Sequence, residues 1–264
     1  MKLHNTLTKK VDEFRPMNAK TVNIYSCGPT VYNYAHIGNL SSYIYADILR
    51  RAVKLSGYEV HHVMNLTDVD DKTIRDSHLE FPDDEPMTAL EKLTTKYSQI
   101  FIDEMREIGN EIGADLDANE TFCDGFNLTR ATNNIDEIQN LVRKLLCEKI
   151  AYVANDGIYF SIAEYQKTRK YGQLSEISVG NSRINNDEYS KENAQDFALW
   201  KRQKPGEPAW NFDFSDLDTF EILWSKERQI RDDFSKVMLG RPGWHIECSV
   251  MSTRFLGQPF DIHT

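Results

Sequence analysis

The sequence lacks the features of a secreted, membrane-bound or disulfide-stabilised protein. Its four cysteines among 264 residues include no closely spaced pair, so no disulfide framework is predicted and a reducing compartment is favoured. No apolar run approaches the roughly 20 residues that span a bilayer, and the N-terminus has no apolar signal core. We therefore predict a cytoplasmic protein with no membrane partner.

The sequence also lacks a basic excess, internal repeats and low-complexity segments. It has 31 Lys and Arg against 41 Asp and Glu, a formal net charge of −10 with His neutral. This balance disfavours a basic coat for non-specific nucleic-acid binding, although a local basic face could still meet such a partner. With 40% hydrophobic and 27% charged residues, the chain is typical of a folded protein with one large or two coupled domains.

The opening 66 residues are typical of a strand, a helix and a second strand. A β-rich run over 21–27 is followed by a Gly-Pro turn, and 58–66 has the pattern of another strand. Between them, apolar residues at three- and four-residue steps predict an amphipathic helix that stops at Gly57. The apolar residues of that helix are Ile37, Leu40, Ile44, Ile48, Ala52 and Leu55. This βαβ order predicts a doubly wound, nucleotide-binding α/β sheet with right-handed crossovers.

The middle of the chain does not continue this alternation. Helical patterns near 90–108 and 135–150 precede a hairpin turn over 155–157. We therefore predict the first half of the α/β sheet domain over 1–119, a connective insertion over 120–235 and the start of the second half over 236–264. The residues Phe220, Leu223, Ile230, Phe234 and Val237 keep helical spacing among charges, which favours a surface helix over a partner-binding one.

Two segments carry residues suited to chemistry. His36-Ile37-Gly38-Asn39 lies where a turn meets a helix, and free N–H groups there can bind a phosphate. His36 could stabilise charge growing on an α-phosphate, and Gly38 could admit a flat base, but the pattern alone favours a surface or capping histidine. The three carboxylates of 65–72 could hold Mg²⁺, orient an amino group or cap a helix, and capping is favoured.

The cysteines alone do not predict a metal site. Cys27 and Cys248 are 221 positions apart, so no short ligand spacing supports them. From spacing, these two and Cys123 and Cys147 are all predicted to be buried apolar cysteines.

Taken in order, five segments resemble cysteinyl-tRNA synthetase, a class I aminoacyl-tRNA synthetase. They are 27–32 (CGPTVY), 36–39 (HIGN), 65–72 (NLTDVDDK), 196–201 (DFALWK) and 240–249 (GRPGWHIECS). The resemblance implies a Rossmann-type catalytic domain with a connective insertion. It also implies a reaction in which L-cysteine and ATP, supplied with Mg²⁺, give cysteinyl adenylate and pyrophosphate, and cysteine then passes to tRNA(Cys).

The resemblance assigns site residues by their positions in these segments. The ATP- or adenylate-binding residues are Gly28, Pro29, Thr30, His36, Gly38 and Asn39, of which His36 and Asn39 hold the catalytic, phosphate-contacting positions. The cysteine-binding residues are Cys27, Thr67, Trp244 and His263, and the metal ligands are Cys27 and Cys248. Asn39 departs from the family's commoner His, so it can donate a hydrogen bond but cannot become cationic.

Zinc is the cofactor that the resemblance implies. A zinc ion on two protein thiolates would accept the thiolate of cysteine and bind a serine hydroxyl poorly, which removes the need for editing. The chain stops before the family's remaining His and Glu ligands, so we expect a partial protein, monomeric, with weak or absent zinc. The segment 211–239 is longer than in many members and has no assigned role.

Two alternatives stay open at this point. One is a ligase that joins cysteine to an amino sugar, because it shares the fold, the thiol pair and the adenylate chemistry. The other is a non-catalytic adenylate-binding module. The amino-sugar ligase differs from a synthetase in the acceptor of cysteine. The non-catalytic module differs from both in binding nucleotide without a preference for cysteine.

Overall fold

The computed structural model describes residues 1–174, 196–217, 223–224 and 237–264. Its strands are β1 (Lys2–Asn5), β2 (Lys10–Glu13), β3 (Thr21–Ser26), β4 (Glu59–Leu66), β5 (Ile112–Asp115), β6 (Phe126–Arg130), β7 (Ala151–Val153), β8 (Gly157–Phe160), β9 (Phe197–Arg202), β10 (Trp210–Asp213), β11 (Leu223–Trp224), β12 (Val237–Pro242) and β13 (Ile262–His263). Its helices are α1 (Ile37–Leu55), α2 (Asp71–Glu80), α3 (Pro86–Glu107), α4 (Leu116–Asn119), α5 (Ile135–Cys147), α6 (Ile162–Gln166) and α7 (Trp244–Leu256). Within these ranges, no helix is long and apolar enough to cross a bilayer.

The predicted Rossmann-type fold is confirmed by a five-stranded sheet in the order β13-β3-β4-β6-β5. All four of its strand pairings are parallel. Helices α1 and α3 pack on one face, against Met64 and Phe126, whereas α7 packs on the other, against Tyr25 and Val63. Covering both faces of a parallel sheet is the arrangement that long buried strands such as β4 require.

Helix α1 is confirmed, but the side that it buries differs from its apolar pattern. The buried residues are Tyr43, Ala46, Asp47, Arg50 and Val53, whereas Ile37, Ile44, Ile48 and Leu55 are exposed. Arg50 is buried because it is fully paired: it hydrogen-bonds Asp47 at 2.9 Å and Asp124 at 2.6 Å and forms an ion pair with Glu111. A buried, paired charge of this kind is not visible in hydrophobic periodicity.

Among the described residues, a second sheet has six strands in the order β10-β12-β9-β8-β7-β11. The predicted hairpin is confirmed, because β7 and β8 pair antiparallel across Ala154–Asp156. Sheet membership differs from the predicted ranges: β6 pairs within the parallel sheet, whereas β12 pairs with β9 and β10 in the second sheet. The chain passes from the parallel sheet to the second sheet over 131–150, and it returns to the parallel sheet over 243–261.

The helix predicted through Phe220 to Val237 is wrong at the two places where the structure describes the backbone. Leu223 lies in a strand that pairs with β7, and Val237 begins β12. The other three residues of that pattern, Phe220, Ile230 and Phe234, lie outside the described residues.

Candidate active site

Three strands of the parallel sheet end at one crevice. The chain runs from β3 to β4 on one side of β3, and places β13 on the other side, so the strand order reverses at β3. Open α/β sheets bind ligands at the carboxyl ends of strands beside such a reversal. Cys27 follows β3, Thr67 follows β4, and His263 ends β13. Three of the predicted cysteine-binding residues therefore lie at this crevice.

The structure brings the two predicted metal ligands together. The Sγ atoms of Cys27 and Cys248 are 3.2 Å apart, although the residues are separated by 221 positions. A hydrogen bond from the Cys248 thiol, together with His263, lowers the pKa of Cys27 to about 5, although burial opposes the shift. The same hydrogen bond raises the pKa of Cys248, and burial of Cys248 adds to that effect. Cys27 is thus the sulfur that is favoured as a thiolate.

The prediction of four buried cysteines is wrong. Cys27, Cys123 and Cys147 are exposed, and Cys248 is partly buried. Cys27 is exposed because it lies at the crevice, immediately after its strand. Cys147 is the last residue of α5, where side chains reach solvent.

Within the described residues, the thiol pair offers two ligands to a metal that prefers sulfur. The 3.2 Å separation exceeds the bond of about 2.05 Å in a disulfide and approaches the spacing of about 3.8 Å between two thiolates on tetrahedral zinc. In the ranges that the structure describes, no group of three or more His, Cys, Asp or Glu side chains is arranged to hold a metal ion. The donors are soft and converge, which suits zinc.

His36 caps helix α1 through a hydrogen bond that defines its neutral tautomer. Its Nδ1 accepts a hydrogen bond from the Gly38 N–H at 3.1 Å. A neutral imidazole that accepts at Nδ1 carries its hydrogen on Nε2, so Nε2–H is the group available to a phosphate. The capping and phosphate-binding interpretations are therefore compatible. Gly38 and Asn39 follow in the first turn, both exposed.

The loop after β3 is tied closely to the end of β4. The Thr67 N–H donates to the carbonyl of Pro29 at 3.0 Å, and the Val31 N–H donates to the carbonyl of Thr67 at 3.1 Å. A Cβ on Gly28 would lie 1.8 Å from the backbone oxygen of Asn65, so only glycine fits there. This contact holds Gly28, Pro29 and Thr30, the other predicted adenylate-binding residues, against the end of β4.

The three carboxylates of 65–72 stabilise the surrounding structure. Asp70 caps α2 and forms a capping box with Thr73, so the favoured capping interpretation is confirmed for this residue. Burial raises the pKa of Asp68 to about 6, although hydrogen bonds from Thr132 oppose that shift. Asp71 bonds to Lys201 at 2.8 Å and pairs with Arg241.

The last two segments of the resemblance form neighbouring strands that deliver α7 to the crevice. Strand β9 pairs with β12, with Trp200 opposite Pro242. A Cβ on Gly243 would lie 1.9 Å from the carbonyl oxygen of Ala198, so the chain turns into α7 in close contact with β9. Helix α7 then carries Cys248 to the thiol pair. Trp244, in its first turn, is 58% exposed.

Two residues with positions in this site had no role assigned from the sequence. Asn65 and Glu247 are buried beneath the thiol pair and are linked through Thr67. A polar residue flanked by the apolar Met64 and Leu66 at the end of a strand is the sequence signal that could have indicated Asn65. Glu247 stands beside Cys248 in the sequence, but nothing in the local pattern predicts its burial.

Comparisons with known proteins agree with this geometry. A family model described as the class I (C) tRNA synthetase catalytic domain matches residues 13–217 and 213–264. The chain belongs to this family. A cysteine–tRNA ligase from Koribacter versatilis is 39% identical over 268 residues, covering 100% of this chain and 45% of its own length. Cysteine–tRNA ligases from Brachyspira hyodysenteriae and Thermococcus onnurineus are each 39% identical over 267 residues, covering 99% and 100% of this chain.

Membership of the class I (C) tRNA synthetase catalytic-domain family confirms the resemblance drawn from the five segments. The chain spans about half the length of the curated relatives that it matches, 48% of the Brachyspira protein and 47% of the Thermococcus protein. ATP-dependent catalysis is the chemistry of the family. The assignments of individual residues to ATP, cysteine and zinc stay predictions.

Proposed function

We propose that the protein acts as a cysteine–tRNA ligase, which activates L-cysteine with ATP and transfers it to tRNA(Cys). The observation that carries the proposal is the thiol pair, with Sγ atoms 3.2 Å apart at the carboxyl edge of the parallel sheet. The activity carried in the names of the relatives supports the same reaction. The proposed partners are L-cysteine, ATP with Mg²⁺ and tRNA(Cys).

The ATP side of the reaction is proposed for the loop after β3 and the start of α1. The N-terminus of α1 offers its positive dipole end to the phosphates. His36 would donate from Nε2 to the α-phosphate as negative charge grows on it, and Asn39 would add an uncharged donor. Gly28, Pro29, Thr30 and Gly38 would surround the adenylate.

The cysteine side is proposed for the thiol pair and its neighbours. Cys27 and Cys248 would hold zinc, while Thr67, Trp244 and His263 would line the amino-acid pocket. When bound, zinc supplies a soft cation that takes a cysteine thiolate and binds the harder serine hydroxyl poorly. Cys27 suits this task because its lowered pKa, about 5, keeps it a thiolate near pH 7.

The proposal is tested by cysteine-dependent exchange of pyrophosphate into ATP. We expect Cys27→Ala and Cys248→Ala to lower the exchange by about 100-fold or more, because each removes a thiolate donor. Cys123→Ala is the matched control, since Cys123 is exposed and is not part of the thiol pair, and it should exchange as the wild type does.

Three outcomes would point elsewhere. Serine activated as readily as cysteine would contradict the thiol-based selection, for which we expect discrimination of roughly 10⁴. Charging of an amino-sugar acceptor instead of tRNA(Cys) would favour the small-molecule ligase. Nucleotide binding with no preference for cysteine would favour a non-catalytic module.

A further inference from the structure

A buried polar network lies directly beneath the two thiols. Its centre is Asn65, which is 1% exposed and lies one residue before the end of β4. The oxygen Oδ1 of Asn65 accepts hydrogen bonds from the Tyr25 hydroxyl and from the Gly28 N–H, both at 3.1 Å. The Cys248 Sγ lies 3.7 Å from the same oxygen. One side-chain oxygen therefore joins groups from β3, from the loop that follows it and from α7.

The amide nitrogen of Asn65 extends the network toward α7 by a second route. Nδ2 donates to Thr67 Oγ1 at 3.2 Å, and the Thr67 hydroxyl donates to Glu247 Oε2 at 3.1 Å. Glu247 is fully buried and directly precedes Cys248. Asn65 thus reaches Cys248 both directly and through Thr67 and Glu247. It reaches Cys27 through the N–H of the next residue, Gly28.

We propose that Asn65 is a positioning residue that sets the separation and orientation of the Cys27 and Cys248 thiols. The inference rests on the proposed function only for what the two thiols bind. Their geometry does not depend on it. Two thiols on segments 221 residues apart need a common support to stay 3.2 Å from each other, and Asn65 bonds to both segments. Partners that orient sulfur and nitrogen ligands are typically worth about 10- to 100-fold in affinity.

The test measures the thiol geometry without requiring a metal or catalysis. Phenylarsine oxide captures two neighbouring thiols: two As–S bonds form, the As–O bond breaks and the oxygen leaves as water with the two thiol protons. We expect Asn65→Ala to weaken capture of the Cys27–Cys248 pair by about 10- to 100-fold. Protection of the two residues from alkylation, read by peptide mass spectrometry, gives the affinity. Cys147, an exposed single thiol, is the internal reference.

Asn127 supplies a matched control within the same sheet. It is fully buried on β6, where it pairs with Val63, and so shares a sheet face with Asn65. Its amide bonds to His62, Cys123 and other backbone groups remote from the thiol pair. We expect Asn127→Ala to lower the melting temperature in the same way but to leave arsenical capture within about twofold of the wild type.

Tyr25→Phe tests the same network with less risk to folding. It removes only the hydroxyl, which donates to Asn65 and also contacts the Cys248 thiol, while the ring keeps its contact with His263 at 5.4 Å. We expect a loss of about threefold to tenfold in capture, the range of one neutral hydrogen bond. If Asn65→Ala does not fold, this variant decides alone.

Wild-type capture in Asn65→Ala or in Tyr25→Phe would overturn the proposal, as would an equal loss in Asn127→Ala. If the variants show the expected pattern of arsenical capture but the wild-type protein does not activate cysteine, the result would count against the proposed function alone.

Discussion

His62 is a fully buried histidine near the middle of the parallel sheet. Its Nε2 lies 2.7 Å from the Ser26 hydroxyl, and its Nδ1 has no hydrogen-bond partner in the described part of the chain. Burial, with a smaller contribution from Arg50, lowers the pKa of His62 to about 3. A proton added at Nδ1 would therefore be both desolvated and unpaired.

This histidine predicts a loss of stability in weak acid. In the unfolded chain His62 binds a proton near its ordinary pKa of about 6.5, whereas in the folded chain it binds one only near pH 3. The free energy of unfolding therefore falls as the pH drops between these two values. Between pH 7.5 and pH 5 we expect the wild type to lose about 2 kcal/mol more than His62→Gln. Urea unfolding at both pH values measures the difference.

The neighbouring His61 provides the control for this measurement. It lies on the same strand but is only partly buried, with its ring stacked on Phe122 at 4.2 Å. His61→Gln makes the same substitution at a solvent-accessible histidine and serves as the comparison. Equal pH dependence in the wild type and His62→Gln would contradict the assignment of this effect to His62.

At the scale of the element, helix α1 shows that the apolar side of a helix need not be its buried side. Ile48 is 54% exposed, whereas Val53 is fully buried. We expect Ile48→Lys to change the free energy of unfolding by about 0.5 kcal/mol or less and Val53→Ala to lower it by about 1 to 3 kcal/mol. Urea denaturation of the two variants makes the comparison. A larger cost for Ile48→Lys would mean that this surface is covered in the folded protein.

Sequence reasoning located elements better than it located their partners. The ends of β3, β4 and α1 and the hairpin of β7 and β8 follow from local signals: apolar runs, helical spacing and turn residues. The buried side of α1 depends on Asp124 and Glu111, which lie far along the chain and neutralise Arg50. The order of the six-stranded sheet is likewise non-local, so no window of sequence contains it.

The site divides in the same way. Histidine and glycine at the start of α1 were compatible with a phosphate position, but the local pattern alone favoured a surface or capping histidine. The phosphate role came from the resemblance to a family and stays a prediction. The meeting of Cys27 and Cys248 came from the resemblance to a family, because a separation of 221 residues carries no spacing signal. The support supplied by Asn65 required the structure, since its partners come from three separate segments.

At the scale of the whole molecule, Asp71 links the two sheets. It lies at the start of α2 beside the parallel sheet, and it bonds to Lys201 of β9 at 2.8 Å and to Arg241 of β12. Burial acts to raise its pKa, but Arg241 and Lys201 outweigh burial and hold the pKa of Asp71 below its ordinary value. Its stabilisation is therefore present near neutral pH and is lost as the pH falls through that lowered pKa.

We expect Asp71→Asn to destabilise the protein by about 1 to 2 kcal/mol at pH 7, because it leaves the buried Arg241 short of a counter-charge while the half-exposed Asp71 is partly screened. Thermal and urea unfolding measure the loss. Asp76→Asn is the control on the same helix, since Asp76 pairs with the exposed Arg75, and should cost about 0.5 kcal/mol or less. Equal effects of the two substitutions would show that Asp71 does not join the sheets.

The distance along the chain between the two sulfurs also has a consequence during synthesis. A ribosome that adds about 5 to 20 residues per second needs roughly 11 to 44 seconds to travel the 221 codons from Cys27 to Cys248. For that interval the nascent chain carries the Cys27 thiol without Cys248, and this thiol can react with metal ions and peroxides. The sulfur chemistry of the crevice is therefore acquired late in translation, after most of the parallel sheet has left the ribosome.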